Sequence, residues 1–212
     1  EQSPESVRRF RAVVMGASAG GLQALAEILG GLAADFSLPI LLAQHLHSSD
    51  DDRFSAHLNE LTALSVVSPH DKEPIASGHV YVAPANYHML VERDETIALT
   101  IDEKVNHSRP SIDVLFDSAA HAFGEELIAV ILSGASNDGA NGMHTVVTLG
   151  GLGIAQDPTS AECSVMPEAA MELAQVETVL PPSRIAENLS ALSRGLRGAD
   201  NPRECHRGGE DQ

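Results

Sequence analysis

The chain has 212 residues, enough for one domain with a sizeable core, and its 30 acidic against 13 basic residues leave a formal charge of −17. Such a surface repels nucleic acid and anionic lipid, which weighs against DNA binding or attachment to a membrane surface. Hydrophobic residues make up 43% of the chain with no Trp, two Tyr and five Phe, so the core must be mostly aliphatic, as suits buried parallel strands.

Residues 1–10 are charged and without a period and read as a leader, ahead of a domain expected over residues 11–196. Arg11 to Met15 is a strand that runs into Gly16-Ala17-Ser18-Ala19-Gly20-Gly21, small residues around one serine. A helix follows, with apolar residues at 22, 25, 26, 28, 29 and 32. The continuously apolar Leu38 to Gln44 is a second strand, ending at His45. Ser49-Asp50-Asp51-Asp52 reads as a helix cap with acidic residues in the first turn, and that helix runs to about Leu61. A short strand is expected at Leu64 to Val67.

Three segments then follow, Ser77 to Pro84, Tyr87 to Glu92 and Thr96 to Ile101, separated by turn residues. They predict a small antiparallel hairpin or meander inserted in an otherwise alternating pattern. Past the polar loop Lys104 to Pro110, Ser111 opens a helix with apolar residues at 112, 115, 116, 119, 120 and 123. Leu127 to Leu132 is the most strongly β-like run, and the loop after it holds Asn137-Asp138-Gly139 before a helix that starts around Asn141. Leu152 to Gln156, a helix from Met166-Pro167, an edge strand Thr178 to Leu180 and a closing helix from Arg184 complete the pattern. Residues 197–212 read as a flexible tail or linker. Alternating strands and helices give an α/β fold, a doubly wound and mostly parallel sheet with that antiparallel insertion.

Ser18 stands in G-x-S-x-G spacing, which would give a serine nucleophile the clearance it needs. The same place can hold a phosphate or simply pack, although the match to G-x-G-x-x-G fails at Ser18 and no acidic residue ends the second strand. In doubly wound sheets ligands gather at the carboxyl ends of the strands, and Ser18, His45 and Asp138 all follow such ends. A serine needs an imidazole to take its proton, and the imidazole needs a carboxylate to fix its tautomer; these three residues supply one of each. His45-x-His47 lacks a third ligand at a recognisable spacing, so no metal or other cofactor is expected. His57, His121 and His144 on helices, and His79 and His88 in the meander, read as surface or packing residues. Cys163 and Cys205 read as free thiols, and no apolar run reaches the roughly 18 residues of a membrane span, so a soluble cytoplasmic protein without membrane insertion is expected.

Several stretches occur together in one order and spacing: Gly16-Ala17-Ser18-Ala19-Gly20-Gly21, Gln44-His45, Gly78 to Pro84, Arg109-Pro110-Ser111-Ile112-Asp113-Val114-Leu115-Phe116, Ser133-Gly134 with Asn137 to Met143, and Met166-Pro167-Glu168-Ala169. In this the chain resembles the catalytic domain of the bacterial chemotaxis protein-glutamate methylesterases over about residues 11–195. The resemblance implies hydrolysis of glutamyl methyl esters on chemoreceptors to glutamate and methanol, with deamidation of receptor glutamine in some members. It also implies Ser18 as nucleophile, His45 as general base and then acid, and Asp138 as the carboxylate that orients His45. Backbone amides near Ala135 and His45 would hold the oxyanion, and Ala19, Ala135 and Arg109 would line the oxyanion and substrate loops.

The sequence departs from the family's pattern at four points. Ala19 stands where threonine is usual, Ala135 where methionine is usual, and Ser108 where histidine commonly precedes Arg109, with His107 one place earlier. The N-terminal phosphate-receiver domain of the family's common form is also missing from these residues. The expected partners are therefore a methylated chemoreceptor and a fused or separate methyltransferase or regulatory domain, with no nucleic acid. Two other readings stay open: a receptor-docking module of the same fold that has lost catalysis, and an anion-binding domain built on the Gly16–Gly21 turn.

Overall fold

The computed structural model describes residues 9–49 and 52–195. The expected tail, Cys205, Asp50 and Asp51 lie outside the described residues, as does the leader except for Arg9 and Phe10, the latter packed against the core.

Among the described residues nine strands form: β1 (Ala12–Ala17), β2 (Ile40–Gln44), β3 (Ser65–Val67), β4 (His79–Val82), β5 (His88–Val91), β6 (Ile97–Thr100), β7 (Leu127–Ile131), β8 (Leu152–Gln156) and β9 (Thr178–Leu180). The helices are α1 (Gly21–Gly30), α2 (Arg53–Leu61), α3 (Ile112–Phe123), α4 (Ala140–Thr148), α5 (Val165–Ala174) and α6 (Pro182–Ser193). Seven strands make one parallel sheet in the order β3-β4-β2-β1-β7-β8-β9, while β5 and β6 pair antiparallel on their own.

The central strands are apolar throughout because both faces are covered. Val13, Met15 and Ala17 of β1 and Ile128 and Val130 of β7 join one core with α1 and α6. Ala12 and Val14 with Leu127, Ala129 and Ile131 join the other, with α3, α4, α5 and the β5–β6 pair. This alternation is the period of two of a strand read against two cores rather than one core and solvent.

The structure corrects two expectations. The antiparallel insertion forms as the hairpin of β5 and β6, but the first of its three expected segments is not part of it: His79–Val82 enters the main sheet between β2 and β3, parallel to both. Val80, Tyr81 and Val82 are buried on that account, and the turn after Pro84 takes the chain out of the sheet toward β5. Of the acidic run before α2, Asp52 makes no side-chain cap. Asp52 occupies the N-cap position with φ 68°, its carboxylate accepts from the Ser68 hydroxyl at 2.6 Å, and no acidic residue lies in the first turn of α2.

Candidate active site

The order β2-β1-β7 puts the three strands that precede Ser18, His45 and Asp138 side by side at the centre of the sheet. The chain leaves β1 toward β2 on one side and returns to β7 on the other, the switch point at which doubly wound sheets open a crevice at their carboxyl edge. Ala17 pairs with Gln44, which brings Ser18 and His45 opposite each other one residue later.

Ser18 is held by its backbone. Its N–H donates to the Ser133 carbonyl at 2.9 Å, and its carbonyl accepts from Gly21 N–H at 2.9 Å and from the Gln44 side-chain amide at 3.0 Å. The Gln44 amide also donates to the His45 carbonyl at 3.2 Å, so one buried side chain ties the two residues together. Ser133 locks the turn from the other side, donating from Oγ to the Ala19 carbonyl at 2.8 Å and accepting from Cys163 N–H at 2.9 Å. The positive φ of this turn falls on Gly20, at 74°, where an added Cβ would lie 2.7 Å from Ser133 Oγ. Ser18 itself is not in the left-handed region, so this is a relaxed strand-to-helix turn rather than a strained elbow.

His45 Nδ1 lies 3.1 Å from Ser18 Oγ and His45 Nε2 lies 2.8 Å from Asp138 Oδ2. The carboxylate can only accept, which assigns the proton to Nε2 and leaves the Nδ1 lone pair facing the serine hydroxyl. Ser18 and His45 are part-exposed, whereas Asp138 is fully buried.

The carboxylate is satisfied by a neighbouring helix. Asp138 Oδ2 also accepts from Ile112 N–H at 2.7 Å, and Oδ1 accepts from the Ser111 hydroxyl at 2.8 Å, Asp113 N–H at 3.2 Å and Asn106 Nδ2 at 2.8 Å. Burial pushes this carboxyl up, but the hydrogen bonds from His45, Asn106, Ile112 and Ser111 outweigh it and hold Asp138 below the usual carboxylate range. Ser111 is the N-cap residue of α3, yet its side chain does not cap that helix; Asp138 does, from across the loop. Asp113, in the first turn of α3, performs the reverse service for α4: its Oδ1 accepts from Gly139 N–H at 2.9 Å and Gly142 N–H at 2.8 Å. Gly139, with φ 97°, lets the chain turn away after Asp138, and an added Cβ there would lie 2.7 Å from Ile112 and Ile131.

The remaining expected residues fall into two groups. Ala19 and Ala135 are exposed beside Ser18 and Ser133, and their backbone N–H groups donate to no protein acceptor among the described residues. The amide of His45, by contrast, is spent on the Ala17 carbonyl at 3.1 Å. Arg109 reaches backward, donating from Nη1 to the carbonyls of Ile101 and Asp102 at 2.6 and 2.7 Å, and so braces the loop after β6. His47 is engaged with Ser49 at 2.8 Å, Cys163 is a free thiol, and no cluster of three His, Cys, Asp or Glu among the described residues could hold a metal ion.

Sequence reasoning missed the parts played by Gln44, Asn106, Ser111 and Asp113, and His88 is the packing residue it was expected to be. His88 is buried in β5, accepting Ser111 N–H at Nδ1 and facing the Glu103 carbonyl with Nε2, which ties the start of α3 to the hairpin. A signal existed at Asp113, a charged residue beside Ile112, Leu115 and Phe116 on the apolar side of its helix. None existed at Asn106, which sits in a polar loop.

The sequence model of one family, described as CheB methylesterase, matches residues 13–189. A protein of Leptospira interrogans named putative protein-glutamate methylesterase/protein-glutamine glutaminase is 44% identical over 178 residues, covering 84% of this chain and 92% of that protein. The protein-glutamate methylesterase/protein-glutamine glutaminase of Clostridium acetobutylicum is 35% identical over 188 residues, and this chain spans about half of its length, 54%. The crystal structure of the Thermotoga maritima CheB methylesterase catalytic domain superposes with a TM-score of 0.82 at 32% identity, covering 86% of this chain and 98% of that one.

Proposed function

Because the chain belongs to the CheB methylesterase family, a family of hydrolases, we propose that it hydrolyses glutamyl methyl esters on chemoreceptors, with Ser18 as nucleophile, His45 as proton carrier and Asp138 as its orienting carboxylate. The observation that carries this reading is the unbroken path from Ser18 Oγ through His45 to the buried Asp138, at 3.1 and 2.8 Å.

A serine hydroxyl is a weak nucleophile at neutral pH and needs a base within hydrogen-bond reach. His45 Nδ1 takes the hydroxyl proton as Ser18 Oγ attacks the ester carbonyl carbon, and the imidazolium that forms faces the Asp138 carboxylate. The carbonyl oxygen becomes an oxyanion, and the amides of Ala19 and Ala135 are its donors. Both are backbone groups, so the exchange of threonine and methionine for alanine at these positions removes side chains and leaves the donors. Collapse of the intermediate breaks the bond to the methoxy oxygen, which takes the proton from Nδ1 and leaves as methanol. Water then gives a proton to Nδ1 and attacks the acyl carbon, and Ser18 departs with that proton, freeing glutamate. A glutamine side chain would follow the same path with ammonia leaving, in keeping with the second half of the relatives' names.

The cytoplasm is the place of action this reading carries, and no described helix is long and apolar enough to cross a membrane. The test is methanol release from methylated chemoreceptor membranes by the wild-type chain and by Ser18→Ala. Release that vanishes in the variant supports reaction and nucleophile together. Equal release overturns the role of Ser18, and no release from either chain favours the receptor-docking reading.

A further inference from the structure

Asp138 and Asp113 are both buried; Asp138 caps the helix that carries Asp113, and Asp113 caps the helix that begins just after Asp138. The side-chain amide of Asn106 stands between them, with Nδ2 at 2.8 Å from Asp138 Oδ1 and 2.8 Å from Asp113 Oδ2. Two carboxylates that share one NH2 group are neighbours, and like charges at close range repel unless donors stand between them. Among the described residues no Lys or Arg pairs with either; the titratable groups facing this pair are His45, on Asp138, and His88, through Ser111 N–H. The other donors on both carboxylates are backbone amides, the Ser111 hydroxyl, and the Asn141 amide at 3.2 Å from Asp113 Oδ2.

We propose that Asn106 is a positioning residue for the reaction, whose amide spends both hydrogens on bridging the two buried carboxylates and thereby keeps Asp138 ionised and aimed at His45. This rests on the role given to Asp138 above. Both hydrogens are needed at once, so the amide cannot be flipped without turning its oxygen on two anions. Asn106 is exposed, on a two-residue turn with φ 50° at Asn106 and 63° at His107, closed by hydrogen bonds between Val105 and Ser108. The turn is therefore the means by which an outer loop reaches the buried end of the site. It also makes the residue accessible to mutation without opening the core.

The experiment compares Asn106→Ala with Asn106→Asp in the full chain. If the residue served only to form its turn, Asp would substitute well, since Asp and Asn both accept left-handed backbone and Ala does not. The bridging role reverses that order. Ala removes two donors and is expected to lower kcat about tenfold with KM little changed, on the scale of one hydrogen bond to a charged group. Asp sets a third carboxylate against the other two and is expected to lower kcat about a hundredfold.

A second readout needs no substrate: the downfield proton resonance of His45 Nε2–H against Asp138 should weaken or move upfield in both variants, more in Asn106→Asp. An unchanged resonance with Asp tolerated better than Ala would overturn the proposal. The resonance separates this failure from failure of the methylesterase reading, which is decided by methanol release from the wild-type chain alone.

Discussion

Aspartates precede both α2 and α4, and they behave differently. Before α2, Asp52 turns its carboxylate to the Ser68 hydroxyl and makes no cap bond to the helix. Before α4, Asp138 also ignores its own helix but caps α3, while Asp113 of α3 caps α4. Asp52 is exposed and water can serve any group it neglects. Asp138 and Asp113 are buried, where every lone pair without a donor is costly, and both are surrounded by donors. An acidic residue near a helix start is thus a preference at the surface and a fixed connection in the interior, and only the interior one is available to hold a catalytic imidazole.

The contrast is broken most severely at Asp138. Asp138→Asn should lower kcat for methanol release by about 10⁴-fold, the scale seen when a triad carboxylate is replaced by its amide, because the partner no longer fixes the imidazole proton on Nε2. Near-normal turnover would remove Asp138 from the mechanism. Asp113→Ala attacks the other half of the exchange and leaves Gly139 and Gly142 N–H buried without an acceptor. A loss of about 3 kcal/mol in urea unfolding is expected from those amides, against which a loss within error would show that water replaces the carboxylate.

A smaller effect is set by pH. Because hydrogen bonds hold Asp138 below its unfolded value of about 3.9, the stability it contributes is complete above that value and is lost as pH falls through the lower folded one. The difference in unfolding free energy between the wild type and Asp138→Asn should therefore shrink when the pH is taken from 5 to about 3, and a constant difference would contradict the assignment. Smallest of all is Asp52→Asn. Asparagine accepts the left-handed backbone and can still take the Ser68 hydroxyl, so a stability change within about 0.5 kcal/mol is expected by the same unfolding measurement. A larger change would mean that the surface aspartate is as firmly connected as the buried ones.

The legible parts of the site were those that lie at strand ends. Ser18 and His45 follow β1 and β2 directly, so a pattern of apolar runs places them within a residue. Asp138 lies seven positions beyond β7, in a loop, and the sequence reached it through the order of chemical types and the Asn137 to Met143 stretch rather than through periodicity. Ser111 was read as a helix opening, which is its place, but not as a donor to Asp138, which is its bond. Asn106 was read as a polar loop residue, since nothing in a linear pattern says which loop amide will meet a carboxylate 32 positions later. The segment 77–84 is ambiguous in the sequence for a related reason: short strands separated by turn residues look alike whether they fold back on each other or enter a sheet beside a distant partner.

What the sequence by itself determined is the alternation of two periods, apolar strands and half-apolar helices, and with it a parallel sheet whose carboxyl edge collects the loops. Local sterics and burial suffice for that, because each strand and helix responds to its own residues. The tertiary structure alone decided the strand order, the side of the sheet on which α3 and α4 meet, and the exchange of caps between them. Those depend on which buried donors and acceptors come within about 3 Å of one another, a requirement of distance in space that residues far apart in the chain satisfy only once the sheet has formed.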